Sequence, residues 1–382
     1  MDCNGHSRLE LARAEGSQCR RSRHAVDDGD CYRSEKLILI PNESVKTQSP
    51  ISLSTADSTP SSLRLSEETQ QLLCCPVCSA QLELDESQLK CTNTLCQACF
   101  PIVNGIPILI DDEASVFAID DYLDIDNSTL KPKPLWERQL INLIPSIHLN
   151  LKGKQNYQKF VALLQQRHSR PKVLVVGSSI RGQGMEPLYS APDLELVETD
   201  VAFGADVSII CDAHSLPFAD NSFDGVVIQA VLEHVVDPYQ CVAEVHRVLK
   251  PEGVVYSETP FMQQVHLGRY DFTRFTHLGH QRLFRNFAEI ASGPVCGTGM
   301  ALAWSYQYFL LSFVKSSAAR ALVKTVARLT SFWLKYFDYL LIDRAGTYDA
   351  ASGFYFLGTK SDRTVSDREL LAQYKGAQAS SF

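Results

Sequence analysis

From Lys172 onward, short β-branched runs alternate with amphipathic stretches, and this alternation constrains the fold more than any other feature of the chain. The segments 173–176, 194–197, 207–210, 225–228 and 253–257 read as strands, and the text between them carries helical spacing. Strands that are apolar on both faces need helices above and below. The expected fold is therefore a doubly wound, mostly parallel α/β sheet. In such sheets ligands bind outside the carboxyl ends of the strands, so the residues that close each strand are the first candidates for a site.

The first of these strands runs Val173-Leu-Val-Val into Gly177-Ser178-Ser179-Ile-Arg-Gly182-Gln-Gly184. Missing side chains in such a loop let backbone approach a ligand closely. A nicotinamide-dinucleotide loop would need a third glycine where Pro187 stands, which excludes that class. The second strand closes on Glu198-Thr-Asp200, and Asp200 is the carboxylate placed to accept hydrogen bonds from ribose hydroxyls, with Glu198 its substitute if the register slips. The third closes on Asp212-Ala213, and the fourth, 225–228, is followed by Gln229.

This ordered series continues through Val231-Leu-Glu-His234 and Arg247-Val-Leu-Lys-Pro-Glu-Gly253. From about Lys172 to Phe287 it resembles the class I S-adenosylmethionine-dependent methyltransferases, particularly the group containing quinone-biosynthesis methylases. The resemblance implies a seven-stranded Rossmann-like sheet with S-adenosyl-L-methionine as methyl donor. It assigns the methionine part to Gly177, Ser178, Ser179, Gly182 and Gly184, the ribose to Asp200, and the adenine to Asp212 and Ala213, with Gln229 beside them. The chain departs from the family loop in having Val175 in place of an acid and Ser179 and Arg181 in place of glycines.

After the fifth strand comes a polar loop, Pro260-Phe-Met-Gln-Gln-Val-His266-Leu-Gly-Arg-Tyr-Asp271-Phe-Thr-Arg274. His266 is the candidate general base because imidazole titrates near neutrality, and Asp271 is the candidate to orient it. His234 and Arg274 are assigned to the substrate side, although Asp271 and Arg274 could equally be an ion pair closing a lid. Nothing like the Asn-Pro-Pro-Tyr run of adenine and glutamine N-methylases follows strand four, where Gln229-Ala-Val stands, so oxygen or carbon is the expected acceptor atom.

Six of the twelve cysteines fall between Cys74 and Cys99. Cys75-Pro-Val-Cys78 and Cys91-Thr-Asn-Thr-Leu-Cys96 form two close pairs, and four thiolates suit a closed, tetrahedral structural Zn²⁺. Cys99 could replace Cys96 in another register, and Cys74 is a second spare. The following Phe100-Pro-Ile-Val-Asn-Gly-Ile-Pro-Ile-Leu-Ile110 resembles the closing strand of the zinc-ribbon family typified by the small activator subunit of tRNA and protein methyltransferases, and that likeness favours Cys96.

The expected organisation is a disordered 1–66, a zinc ribbon at 67–112, linker and lead-in helices at 113–170 with helical spacing over 136–166, a catalytic domain at 171–362 and a tail at 363–382. A helical insertion near 298–350 interrupts the final antiparallel strand pair. Leu322, Val326, Leu329, Trp333, Phe337 and Leu340 form one stripe there, to be buried on the domain core or a dimer partner, to roof an apolar pocket, or to touch a membrane through helices 302–342. With a net charge of −8, no signal-sequence pattern and no run of about 20 apolar residues, the expectation is a cytoplasmic protein with at most a peripheral membrane contact. The expected acceptor is a small molecule, a lipid-linked group or a glycan. The rival readings are an rRNA or tRNA methyltransferase, which the acidity disfavours, and a non-catalytic binding or regulatory protein.

Overall fold

The computed structural model describes residues 63–85, 87–123 and 144–379. Its eleven strands form one sheet in the order β1-β2-β3-β4-β7-β6-β5-β8-β9-β11-β10. The ribbon strands are β1 (Leu82–Asp85), β2 (Gln88–Cys91), β3 (Cys99–Val103) and β4 (Ile106–Leu109). They are followed by β5 (Lys172–Val176), β6 (Glu195–Asp200), β7 (Ile209–Cys211), β8 (Phe223–Gln229), β9 (Leu249–Pro260), β10 (Phe287–Cys296) and β11 (Gly353–Lys360).

Strands β7-β6-β5-β8-β9 are parallel, and β11 pairs antiparallel with both β9 and β10. This is the expected seven-stranded, doubly wound arrangement. The order doubles back at β5, which sits between β6 and β8, and that reversal opens the crevice in which a ligand can sit. Val173, Leu174 and Val175 are fully buried because helices cover both faces. Tyr157, Phe160 and Leu164 of helix α1 (Gly153–Arg167) pack on one side, while Val242, Val245 and Val248 of α2 (Pro238–Val248) belong to the core on the other.

Ribbon and sheet are continuous. β4 lies parallel to β7, pairing Ile108 with Ile210 and Leu109 with Cys211, and Leu73 and Phe218 form a further bridge. An edge strand that would otherwise offer unpaired backbone groups is thereby covered.

Three expectations about elements need correction. The lead-in helix begins at Gly153, where Asn150 Oδ1 accepts the Gly153 N–H at 2.7 Å; residues 144–152 are not helical, and 136–143 lie outside the described residues. The order begins before residue 67: Leu63 is buried and the Arg64 N–H donates to Gly105, whereas residues 1–62 lie outside the description. The strand expected at 207–210 is β7, two residues later, since Val207 packs in the small cluster around Ile106 and Ile108 instead of pairing.

The insertion consists chiefly of α3 (Thr298–Leu311) and α4 (Ser317–Ser331), followed by short turns to Ala350. Its apolar stripe faces outward: Leu322 is 67% exposed and Leu340 73%, and Val326, Leu329, Trp333 and Phe337 are exposed as well. The buried face of α4 is instead Ala327, Arg328 and Ser331, so the stripe packs neither on the domain core nor over the cavity. Among the described residues no helix is long and apolar enough to cross a membrane.

Candidate functional site

A cavity of about 590 Å³ opens at the carboxyl ends of β5, β6, β7 and β8, within the range of small-molecule and cofactor sites. The strand-closing residues converge on it: Gly177, Ser179, Gly182, Asp200, Asp212, Ala213 and Gln229 all line the wall, joined by His234 and His266.

The loop after β5 takes its shape from two glycines. Gly177 has φ +82°, and a Cβ there would meet Val231 Cγ2 at 2.2 Å; Gly184 has φ +90° and rests against the backbone of Gly153 and Lys154. Neither place admits a side chain. Gly184 and Ser178 lie off the cavity wall: Ser178 is buried and donates its N–H to Thr199 O at 3.1 Å, so the two shape the loop from behind.

Asp200 closes β6 with its carboxylate tied down. Oδ2 accepts the Ser179 N–H at 2.8 Å and Oδ1 the Ala202 N–H at 2.9 Å. Burial raises its pKa, and these donors partly offset that rise. Glu198, the register alternative, instead accepts from Tyr189 Oη at 2.7 Å and is absent from the cavity wall. Asp212 accepts from Ser115 Oγ at 2.5 Å and from the N–H and ring of His214. Burial alone would raise its pKa, but the His214 and Ser115 hydrogen bonds hold it below the ordinary value. Val116 and Phe117, beside Ser115, also line the cavity, so the segment following the ribbon supplies part of the wall.

Gln229 belongs to a polar network. Its Nε2 donates to Glu258 Oε2 at 2.7 Å and to Gln183 O at 3.2 Å, and its Oε1 accepts from Tyr157 Oη. Glu258 also accepts from Asn150 Nδ2 and Tyr256 Oη, and burial lifts its pKa to about 7. The sequence expectations did not include Glu258, Asn150 or Ser115.

In the loop after β9, Asp271 and Arg274 form an ion pair, and Arg274 also donates to the carbonyls of Gln263, Gln264 and Thr273. Neither residue lines the cavity. They close the loop, and Asp271 holds His266 chiefly through the His266 backbone N–H at 2.9 Å, its carboxylate standing 3.5 Å from Nδ1. His266 reaches the wall. Burial lowers its pKa, against the Gln264 carbonyl and Asp271, which raise it.

The four ribbon cysteines assemble. Cys75 Sγ stands 3.8 Å from Cys96 Sγ and Cys78 Sγ 3.4 Å from Cys91 Sγ, and all four sulfurs lie within 4.8 Å of one another. Cys74 and Cys99 stand outside that group, their thiols directed to the carbonyls of Leu72 and Gln97.

Residues 189–257 match the methyltransferase domain family. Over 68 residues the chain is 43% identical to a ubiquinone/menaquinone biosynthesis C-methyltransferase of Desulfotalea psychrophila, covering 17% of this chain and 26% of that protein. Over 82 residues it is 40% identical to a demethylmenaquinone methyltransferase of Renibacterium salmoninarum, covering 19% and 34%. The chain thus spans about a quarter to a third of these relatives. Among solved structures, a phosphoethanolamine N-methyltransferase 2 of Haemonchus contortus in complex with S-adenosyl-L-methionine is similar at 18% identity, covering 53% of this chain and 52% of that one, with a TM-score of 0.33.

Proposed function

We propose that this protein is an S-adenosyl-L-methionine-dependent methyltransferase acting on oxygen or carbon of a small-molecule, lipid-linked or glycan acceptor. The supporting observation is the convergence of the Gly177 loop, Asp200 and Asp212 on one cavity at the point where the strand order reverses. These groups suit the donor chemically: a close-approach loop for the methionine part, a fixed carboxylate for ribose hydroxyls and a second for the adenine amine. When bound, S-adenosyl-L-methionine supplies an electrophilic methyl on a sulfonium. The protein orients the acceptor and excludes water, with His266 available to take a proton where the acceptor holds one.

The four-cysteine group fits a structural Zn²⁺, since four sulfurs leave no open position for a substrate. We read the exposed apolar stripe as a membrane-facing surface. Between Glu289 and Asp343 the chain carries Lys315, Arg320, Lys324, Arg328 and Lys335 against one acid, Asp338. Asp338 is buried and accepts the Gly299 and Met300 N–H groups at the start of α3. Arg328 and Lys335 are buried as well and Lys324 lines the cavity, so the exposed cations beside the stripe are Lys315 and Arg320, and with the apolar side chains these would complement an anionic bilayer surface.

Calorimetry with S-adenosylhomocysteine tests the assignment. Wild type is expected to bind, and Asp200→Ala to lose at least about tenfold in affinity, about 1.4 kcal/mol. No measurable binding by wild type would overturn the catalytic reading.

A further inference from the structure

We propose that Glu233, His234 and His266 form a divalent transition-metal site in the wall of the same cavity, built from two imidazoles and one carboxylate. One donor atom from each residue lies within 4.8 Å of the others. His234 Nε2 stands 3.7 Å and His266 Nε2 3.9 Å from Glu233 Oε1, too far for direct hydrogen bonds and close enough to share an ion.

The rings are set for this role by their other nitrogens. His234 Nδ1 faces Tyr270 O at 2.7 Å, and His266 Nδ1 faces Gln264 O at 3.2 Å. A carbonyl can only accept, so each Nδ1 carries the proton and each Nε2 presents a lone pair toward Glu233. Metal-bound histidines are commonly held in this way by a backbone carbonyl.

Glu233 provides the second, independent observation. Its carboxylate is fully buried, and neither oxygen has a hydrogen-bond partner among the described residues. An unsatisfied buried carboxylate is costly, and a cation among these three residues would satisfy it. Arg274 does not fill the need, because its guanidinium is committed to Asp271 and to three loop carbonyls.

Two nitrogens and one oxygen suit Zn²⁺, Mn²⁺, Fe²⁺ or Co²⁺ better than Mg²⁺ or Ca²⁺. All three residues line the cavity, so the remaining coordination positions face the acceptor space. A hydroxyl or enol oxygen is the acceptor class that would occupy them, and His266 would then serve as a ligand and not as a base. That last consequence rests on the methyltransferase reading; the metal site does not.

The test is a titration of the purified full chain with Co²⁺, its ribbon zinc first verified by elemental analysis. The expected result is one bound Co²⁺ per chain with visible ligand-field bands and no thiolate-to-cobalt charge transfer. His266→Ala and Glu233→Gln should each weaken it by at least about tenfold. Wild type that takes up no Co²⁺ beyond the ribbon overturns the proposal, as do both variants binding like wild type. S-adenosylhomocysteine calorimetry on the same preparation separates the two readings. Binding of the thioether without Co²⁺ removes only the metal site; Co²⁺ without the thioether removes only the methyltransferase assignment.

Discussion

Ile108 of the ribbon pairs in parallel register with Ile210, two residues before Asp212 on the cavity wall. The ribbon's last strand is therefore a flank of the cofactor-side sheet. Ser215 Oγ donates to Pro76 O at 2.9 Å and the Cys74 N–H to Pro217 O at 3.0 Å, fastening the loop after β7 to the cysteine turn.

If the four cysteines hold the proposed Zn²⁺, losing it should consequently weaken the proposed cofactor cavity. Cys75→Ser and Cys91→Ser are expected to lose bound zinc, to lower the thermal midpoint by on the order of 5 °C or more, and to reduce S-adenosylhomocysteine affinity. Elemental analysis, a thermal melt and calorimetry read the three effects. Unchanged zinc in both variants would exclude this ligand set, and unchanged affinity in zinc-free protein would disconnect ribbon from cavity.

The strand-closing residues were legible in the sequence because position in a doubly wound sheet dictates their direction: Asp200 and Asp212 fall where the pattern puts them. Spacing made Cys75, Cys78 and Cys91 legible, and the likeness to the zinc-ribbon family chose Cys96 over Cys99. Glu258 was not, since it sits inside a run of buried residues from Val254 to Thr259 and its partners, Asn150 and Gln229, come from segments far apart in the chain. Glu233 was hidden for a related reason. A carboxylate inside a Leu-Glu-His run looks like a solvated turn until the fold buries it. Which of the readings of the stripe holds was not legible, because periodicity reports a stripe without reporting which side of the helix is covered.

Stability should fall with acid through buried histidines. His277 is buried beside Ser292 Oγ at 2.9 Å, and burial lowers its pKa to about 4 from an ordinary 6.5. The unfolded chain therefore binds the proton first. The stability held by the neutral ring is fully present above pH 6.5 and is lost as pH falls toward 4, by up to about 3 kcal/mol. Urea unfolding of His277→Gln across that window should show a shallower loss than wild type. Parallel pH profiles would contradict the assignment.

The exposed stripe makes the last prediction. Amphipathic helices bind a bilayer interface through apolar area and basic charge together, so both should matter here. Phe313 is 71% exposed, and with Leu322 and Leu340 it presents apolar side chains on a segment whose one acid is buried. Wild type is expected to co-sediment with vesicles containing anionic phosphatidylglycerol and much less with neutral phosphatidylcholine. Retention should weaken as salt rises. A triple variant, Phe313→Ser, Leu322→Ser and Leu340→Ser, should lose most of this binding while keeping its thermal midpoint, because none of the three side chains is in the core. If wild type ignores anionic vesicles and sediments in solution as a dimer that the triple variant splits into monomers, the stripe is a contact between copies and the membrane proposal fails.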